Sequence, residues 1–258
     1  MESSRPATLR TRTRGEPCVH LPAAFASALA LALSLCVRHA AAKDPPAPVA
    51  APATATASAP EAHRGFQAAL RAGVSLPFGS VTSTTAMSDA VGIQIPLILD
   101  IGVKPIDALF IGGYFGIAQG GAAGAIADVC AHLAVSCNGL SLRFGAQVHY
   151  AFRPAATVNP WVGLAIGYEI ARSSGASGKN SVDNTLSGLE LVHLMGGVDF
   201  RLARAFGIGP FADFAFGQYS TAQTKQDAGG RVTTLGGAID NPALHEWLTL
   251  GVRGVFFP

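Results

Sequence analysis

The sequence predicts an all-β protein: an eight-stranded antiparallel up-and-down transmembrane β-barrel, preceded by an N-terminal signal peptide and a disordered linker. Three observations carry that expectation. Runs of about ten residues with apolar side chains at every second position recur from Gly65 onward; the connectors between them alternate short and long; and the opposite stripe of each run holds glycine and scattered charges. A period of two over such a length means an extended strand with two unlike faces. Ten residues cross a bilayer at a tilt, and alternating connector lengths suit a closed sheet whose hairpins emerge on opposite sides.

Residues 1–42 read as a signal peptide. Arg5, Arg10, Arg12 and Arg14 precede an apolar stretch from Leu21 to Val37, and Ala40-Ala41-Ala42 offers the small residues a signal peptidase reads. An uncleaved anchor and a lipidated Cys36 are the alternatives; Leu35 stands where lipidation wants a small residue. Residues 43–63, rich in Ala, Pro and Thr, cannot bury a core and read as a linker. Residues 64–258 then form the barrel domain. The whole chain carries +2 from 18 basic and 16 acidic residues; without residues 1–42 it keeps 13 against 14, a net of −1. No basic patch remains for nucleic acid.

Eight runs are bounded by Gly, Pro, Asn or Asp, near 65–78, 90–103, 108–119, 139–152, 160–172, 188–202, 206–219 and 245–257. In the second, Val91, Ile93, Ile95, Leu97, Leu99, Ile101 and Val103 share a face; in the fourth, Leu140, Leu142, Phe144, Ala146, Val148, Tyr150 and Phe152 do. The connectors at 104–107, 153–159 and 203–205 are tight, and those at 79–89, 120–138, 173–187 and 220–244 are long. A soluble barrel is the same pattern turned inside out. Two features of the stripes, together with a sequence that stops on a strand at Phe256-Phe257, choose the lipid-facing form. The chain has four lysines, too few for a water-facing sheet, and glycines (Gly73, Gly92, Gly112, Gly145, Gly163, Gly197) dominate the polar stripe. Aromatics on the oily stripe gather at strand ends, with Phe66, Tyr150, Phe152, Phe200, Phe206 and Phe256 at one end and Phe78, Phe115, Tyr168 and Phe216 at the other.

The stretches Gly196-Gly197-Val198-Asp199-Phe200-Arg201-Leu202, Gly209-Pro210-Phe211 and Gly251-Val252-Arg253-Gly254-Val255-Phe256-Phe257 resemble the small outer-membrane β-barrel superfamily that includes the OmpA, OmpX and OmpW types. The resemblance covers residues 64–258. It implies residence in the cell outer membrane, contact with outer-membrane lipids, and a last strand (Gly251, Phe256, Phe257) read as an assembly signal by the barrel-insertion machinery. Pro258 and Gly254 depart from that pattern, and no peptidoglycan-binding domain is expected after the last strand.

Strand parity sends Arg71, Gln94, Asp100, Arg143, Gln147, His149, Glu169, Asp199, Arg201, Asp213 and Arg253 inward. Eight strands leave an interior that side chains can fill, so these residues are expected to form an ionic plug. Two functional classes follow: a structural or surface-interaction barrel that meets an extracellular ligand through its long loops, or an OmpW-like narrow channel for small apolar molecules. A soluble periplasmic ligand-binding barrel and a lipid-modifying enzyme are weaker readings. For the enzyme, Ser187, Glu190 and His193 lie close in sequence, but Glu190 has the opposite parity from the other two. No catalytic residue, cofactor or metal is therefore expected, and a monomer is. Ala122 to Val135 reads as a short helix. Cys130 and Cys137 either form a disulfide or stay free; with His132 they are too few and too irregular for structural zinc. A disulfide requires the helix to end before Cys137, because seven helical residues would hold the Cα atoms roughly 10 Å apart.

Overall fold

The computed structural model describes residues 64–121, 123–133 and 136–257. The expected signal peptide and linker lie outside these residues. The strands are β1 (Gly65–Thr82), β2 (Thr85–Ala86), β3 (Gln94–Ile106), β4 (Leu109–Gly120), β5 (Ser136–Ala151), β6 (Val158–Ser177), β7 (Asn180–Ala203), β8 (Phe206–Ala228), β9 (Arg231–Ala238) and β10 (Leu244–Phe256). Two helices interrupt them, α1 (Met87–Ala90) and α2 (Gly124–Leu133).

Eight strands close a ring in the order β1-β3-β4-β5-β6-β7-β8-β10, every neighbour antiparallel, because β10 pairs with β8 on one side and with β1 on the other. Closure leaves no edge within the wall, which a lipid environment demands of any sheet. Strand β2 adds only to β1, and β9 only to β8.

Alternation decides which side of the wall each residue faces. Along β3, Ile95, Leu97, Leu99, Ile101 and Val103 are exposed, while Gln94, Asp100 and Lys104 are buried. Ile93, Leu97 and Phe144 are 59%, 47% and 45% exposed, against 6% for Asp199, so the oily stripe faces outward and the ionic stripe inward. The aromatics Phe66, Tyr150, Phe152, Phe200, Phe206 and Phe256 are exposed at the end where the tight turns lie, with Phe78 and Phe115 exposed toward the other.

The glycines of the inner stripe make room for rings. A Cβ on Gly163 would lie 2.6 Å from the His149 ring, one on Gly217 would lie 2.6 Å from His245 Nε2, and one on Gly197 would lie 3.0 Å from Trp161. Gly145 and Gly167 together cradle Tyr114.

Three expectations need correction. The second run begins at Gln94 rather than near residue 90, and Val91 is buried instead of lipid-facing. It packs with Val81, Met87, Ala171, Ala215, Tyr219 and Trp247 in an apolar cluster at the loop-side end of the barrel. The connectors expected at 173–187 and 220–244 are largely strand. Strands β7 and β8 run for 24 and 23 residues, more than twice the 9–11 or so that cross a bilayer. Their upper halves are polar and lose the oily period, yet backbone pairing continues to a two-residue turn at Gly178-Lys179 and another at Gly229-Gly230. Gly229 and Gly230 have φ of +63° and +96°, the left-handed pair that a tight hairpin turn requires. The helix expected over 122–135 is observed as α2, ending at Leu133.

Candidate functional site

The interior is built in three clusters of charged and aromatic side chains. The loop-side cluster centres on Glu169, 1% exposed, supplied by β6. Its Oε1 accepts from Tyr219 Oη at 2.6 Å, Trp247 Nε1 at 3.0 Å and Arg143 Nη2 at 3.4 Å, and its Oε2 lies 3.1 Å from His245 Nε2. Arg143 also lies over the Trp247 ring at 4.5 Å, and Tyr219 stacks on His245 at 4.1 Å. A carboxylate taken out of water keeps its charge only when such donors replace hydration. The apolar cluster formed by Val81, Met87 and Val91 with Trp247 and Tyr219 closes this level from outside.

In the central cluster, Arg71 is fully buried. Its Nη2 donates to Asp100 Oδ1 at 2.9 Å and its Nη1 donates to Asp213 Oδ2, so one guanidinium bridges two carboxylates from β3 and β8. Tyr114 Oη donates to Glu190 Oε1 at 2.8 Å. His193 lies between Glu190, at 2.7 Å from Nδ1, and Asp213, at 3.3 Å from Nε2. These His193 contacts have ion-pair distances without hydrogen-bond alignment. The turn-side cluster joins Arg253 Nη1 to Asp199 Oδ2 at 2.7 Å, with Arg253 4.4 Å over the Trp161 ring and His149 stacked on that ring at 4.9 Å. A pocket of about 20 Å³ lies there beside Gln67, Lys104 and Phe110, room for about one water.

Of the residues that parity sends inward, Arg71, Asp100, Arg143, His149, Glu169, Asp199, Asp213 and Arg253 occupy these clusters, whereas Arg201 does not. Arg201 is half-exposed at the turn-side rim, where Nη2 donates to Pro154 O at 2.8 Å and the guanidinium lies 5.5 Å from the Phe257 ring. A register shift between Arg201 and Ala203 perturbs the alternation at this end of β7. The assembly-signal residues divide: Phe256 is 46% exposed, whereas Phe257 is 6% exposed beneath Lys104 and Arg201. Gly251 lies so close to Ala72 and Gly73 of β1 that no side chain fits.

Glu190 and His193 overturn the parity argument. A β-bulge between Glu190 and Val192 leaves Leu191 and Val192 both exposed, so Glu190 and His193 both turn inward. An extra residue in one strand flips the face of all that follows. Ser187 stays apart: its hydroxyl pairs with Thr221 Oγ1 at 2.6 Å on an exposed stretch, so these three residues form no nucleophile–base–carboxylate array.

Beside the barrel, Cys130 and Cys137 form a disulfide that ties α2 to β5, with Cα atoms 6.2 Å apart. The end of α2 at Leu133 is what permits that approach. Paired cysteines offer no thiolate to a metal, and no cluster of three or more His, Cys, Asp or Glu side chains able to hold one occurs among the described residues.

An antiparallel ring with an oily belt outside and ion pairs inside has one suitable solvent. This is a transmembrane β-barrel of the outer-membrane type. Neither a protein-family model nor a curated protein matches the chain. Among solved structures it is similar to Neisserial surface protein A, at 18% identity and a TM-score of 0.38, over 75% of this chain and 98% of that one. It is similar to a major outer membrane protein of Thermus thermophilus, at 14% identity and a TM-score of 0.45, over 75% and 99% of the two chains. It is also similar to the outer membrane protein AlkL, at 12% and 0.40, over 84% and 98%. The membrane assignment rests on the barrel's own surface.

Proposed function

We propose that the protein resides in the cell outer membrane as a plugged barrel with a structural or surface-interaction role. The observation that supports this best is the burial of the lumen: Arg71 and Asp100 are 0% exposed, and Glu169, Glu190 and Trp247 are each 1% exposed. Burial this deep at successive levels of the lumen supports a plug, since a solvated ion needs a continuous aqueous path. Buried ion pairs such as Arg71 with Asp100 and Arg253 with Asp199 favour one arrangement of strands over a passage. The tall sheet formed by the outer halves of β6, β7, β8 and β9 gives the loop side a broad polar surface for an extracellular ligand. Biogenesis would draw on the barrel-insertion machinery, with Gly251, Phe256 and Phe257 in the strand it reads.

Planar-bilayer recording of the purified protein tests the reading. A plugged barrel gives no discrete openings; openings of defined size would overturn the plug in favour of a narrow channel. Sedimentation with outer membranes and heat-modifiable migration on a gel test the location, and recovery in the soluble periplasmic fraction would refute it.

A further inference from the structure

On the outer face of the wall, where the oily belt ends on the loop side, a groove of about 370 Å³ opens across β5, β6, β7 and β8. Leu140, Leu142 and Ile170 form its foot, and Arg172, Asp183 and Lys225 rise above them. Register explains the layering: Leu142 pairs with Ile170, Leu140 with Arg172 one row outward, and Asp183 with Lys225 one row beyond. The foot continues the lipid-facing stripe, for Phe144 and Tyr168, ring centroids 5.9 Å apart, lie directly below, and Leu164 and Ile166 are exposed beneath them.

The charge above the foot is unbalanced. Arg172, its side chain 53% exposed, gives Nη2 to Asp183 at 3.0 Å and retains further N–H donors. Lys225 is exposed and has no ion-pair partner among the described residues. Two cations thus meet one carboxylate just beyond the end of the oily stripe.

We propose that this groove seats a phosphorylated lipid of the leaflet facing the loops. An acyl chain lies on Leu140, Leu142 and Ile170, and a phosphate bridges Arg172 and Lys225. A guanidinium fork matches phosphate oxygens, and an ammonium adds a mobile point charge. A soluble anion would leave the apolar foot uncovered, whereas a lipid covers both parts with one molecule already present in the membrane. The proposal rests on the belt facing lipid.

The test uses the full chain in phosphatidylcholine nanodiscs. These are doped with a diphosphorylated, acylated glucosamine disaccharide or with its dephosphorylated counterpart, and retained lipid is counted by native mass spectrometry. The wild type is expected to retain the phosphorylated form roughly tenfold better, since each basic side chain near a membrane surface favours an anionic lipid by a severalfold factor. The variant R172Q/K225Q changes only exposed side chains and is expected to lose that preference. Equal retention of the two lipids, unchanged preference in R172Q/K225Q, or displacement by millimolar inorganic phosphate alone would overturn the proposal. A chain that inserts without lipid preference refutes this site only; one that fails to insert refutes the membrane reading itself.

Discussion

Replacing Glu169 by Gln changes almost no volume and removes the charge on which the loop-side cluster converges. Four side chains surround that carboxylate: Tyr219, Trp247, Arg143 and His245. An amide converts one acceptor oxygen into an NH2 that points at donors, and Arg143 loses the carboxylate it pairs with, keeping only longer-range attraction to Glu190 and Asp213. Stripping one partner from a buried ion pair costs about 3–5 kcal/mol, and losing a hydrogen bond to a charged group costs about 1.5–3 kcal/mol. The two overlap, because the Arg143 bond is counted in both, so Glu169→Gln is expected to cost about 4 kcal/mol, nearly a thousandfold in the folding equilibrium. Arg143→Met alone leaves Glu169 with three neighbours and costs less, about 2 kcal/mol. The double variant then costs less than the sum of the two by about 1–2 kcal/mol, because the stranded guanidinium is gone. Urea unfolding of the full chain in lipid vesicles, followed by tryptophan emission, reads all three, since Trp247 reports the cluster directly. A Glu169→Gln cost below about 1 kcal/mol, or additivity within about 0.5 kcal/mol, would refute the convergence on Glu169.

Tyr114→Phe deprives buried Glu190 of a donor held at 2.8 Å and is expected to cost about 1–3 kcal/mol in the same unfolding assay. Gly167→Ala drives a methyl into the Tyr114 hydroxyl and is expected to cost more, with Tyr114→Phe partly rescuing it; a silent Gly167→Ala would contradict the cradle. Cys130 and Cys137 close a loop with a sequence separation of 7, so reduction is expected to lower stability by about 2 kcal/mol and to add two hydrogens to the intact mass. Two titratable thiols in the unreduced protein would remove the disulfide from the account.

The membrane-facing half of the fold was legible because lipid imposes the strictest pattern. Leu97, Leu99 and Ile101 repeat with a period of two, and nothing in the wall of β3 interrupts them. Outside the bilayer that constraint lapses. Residues 173–187 are mostly polar or glycine, with only Ala176, Val182 and Leu186 apolar, so their alternation vanishes although β6 and β7 remain paired, and composition alone reads them as a loop. The lumen was legible strand by strand for Arg71, Asp100 and Asp213, whose parity is uninterrupted. It failed at Glu190 and His193 because a single bulge resets parity, and one extra residue leaves no mark in hydropathy. The aromatic members Tyr114, Trp161, Tyr219 and Trp247 were missed for a related reason. Their rings suit either face, and only the inner glycines of neighbouring strands, such as Gly167 beneath Tyr114 and Gly197 beneath Trp161, mark where a ring must lie.

The central claim, that the oily stripe meets lipid and the ionic stripe fills the barrel, is tested most directly by quenching tryptophan fluorescence with brominated acyl chains. The chain has two tryptophans, and both Trp161 and Trp247 face the lumen, at 3% and 1% exposure. The wild type in brominated-lipid vesicles is therefore expected to keep most of its emission. Leu164→Trp, at a position 51% exposed on the outer face, adds an emission that the same lipids extinguish. Strong quenching of the wild type, or a Leu164→Trp signal that answers only to a water-soluble quencher, would contradict the account.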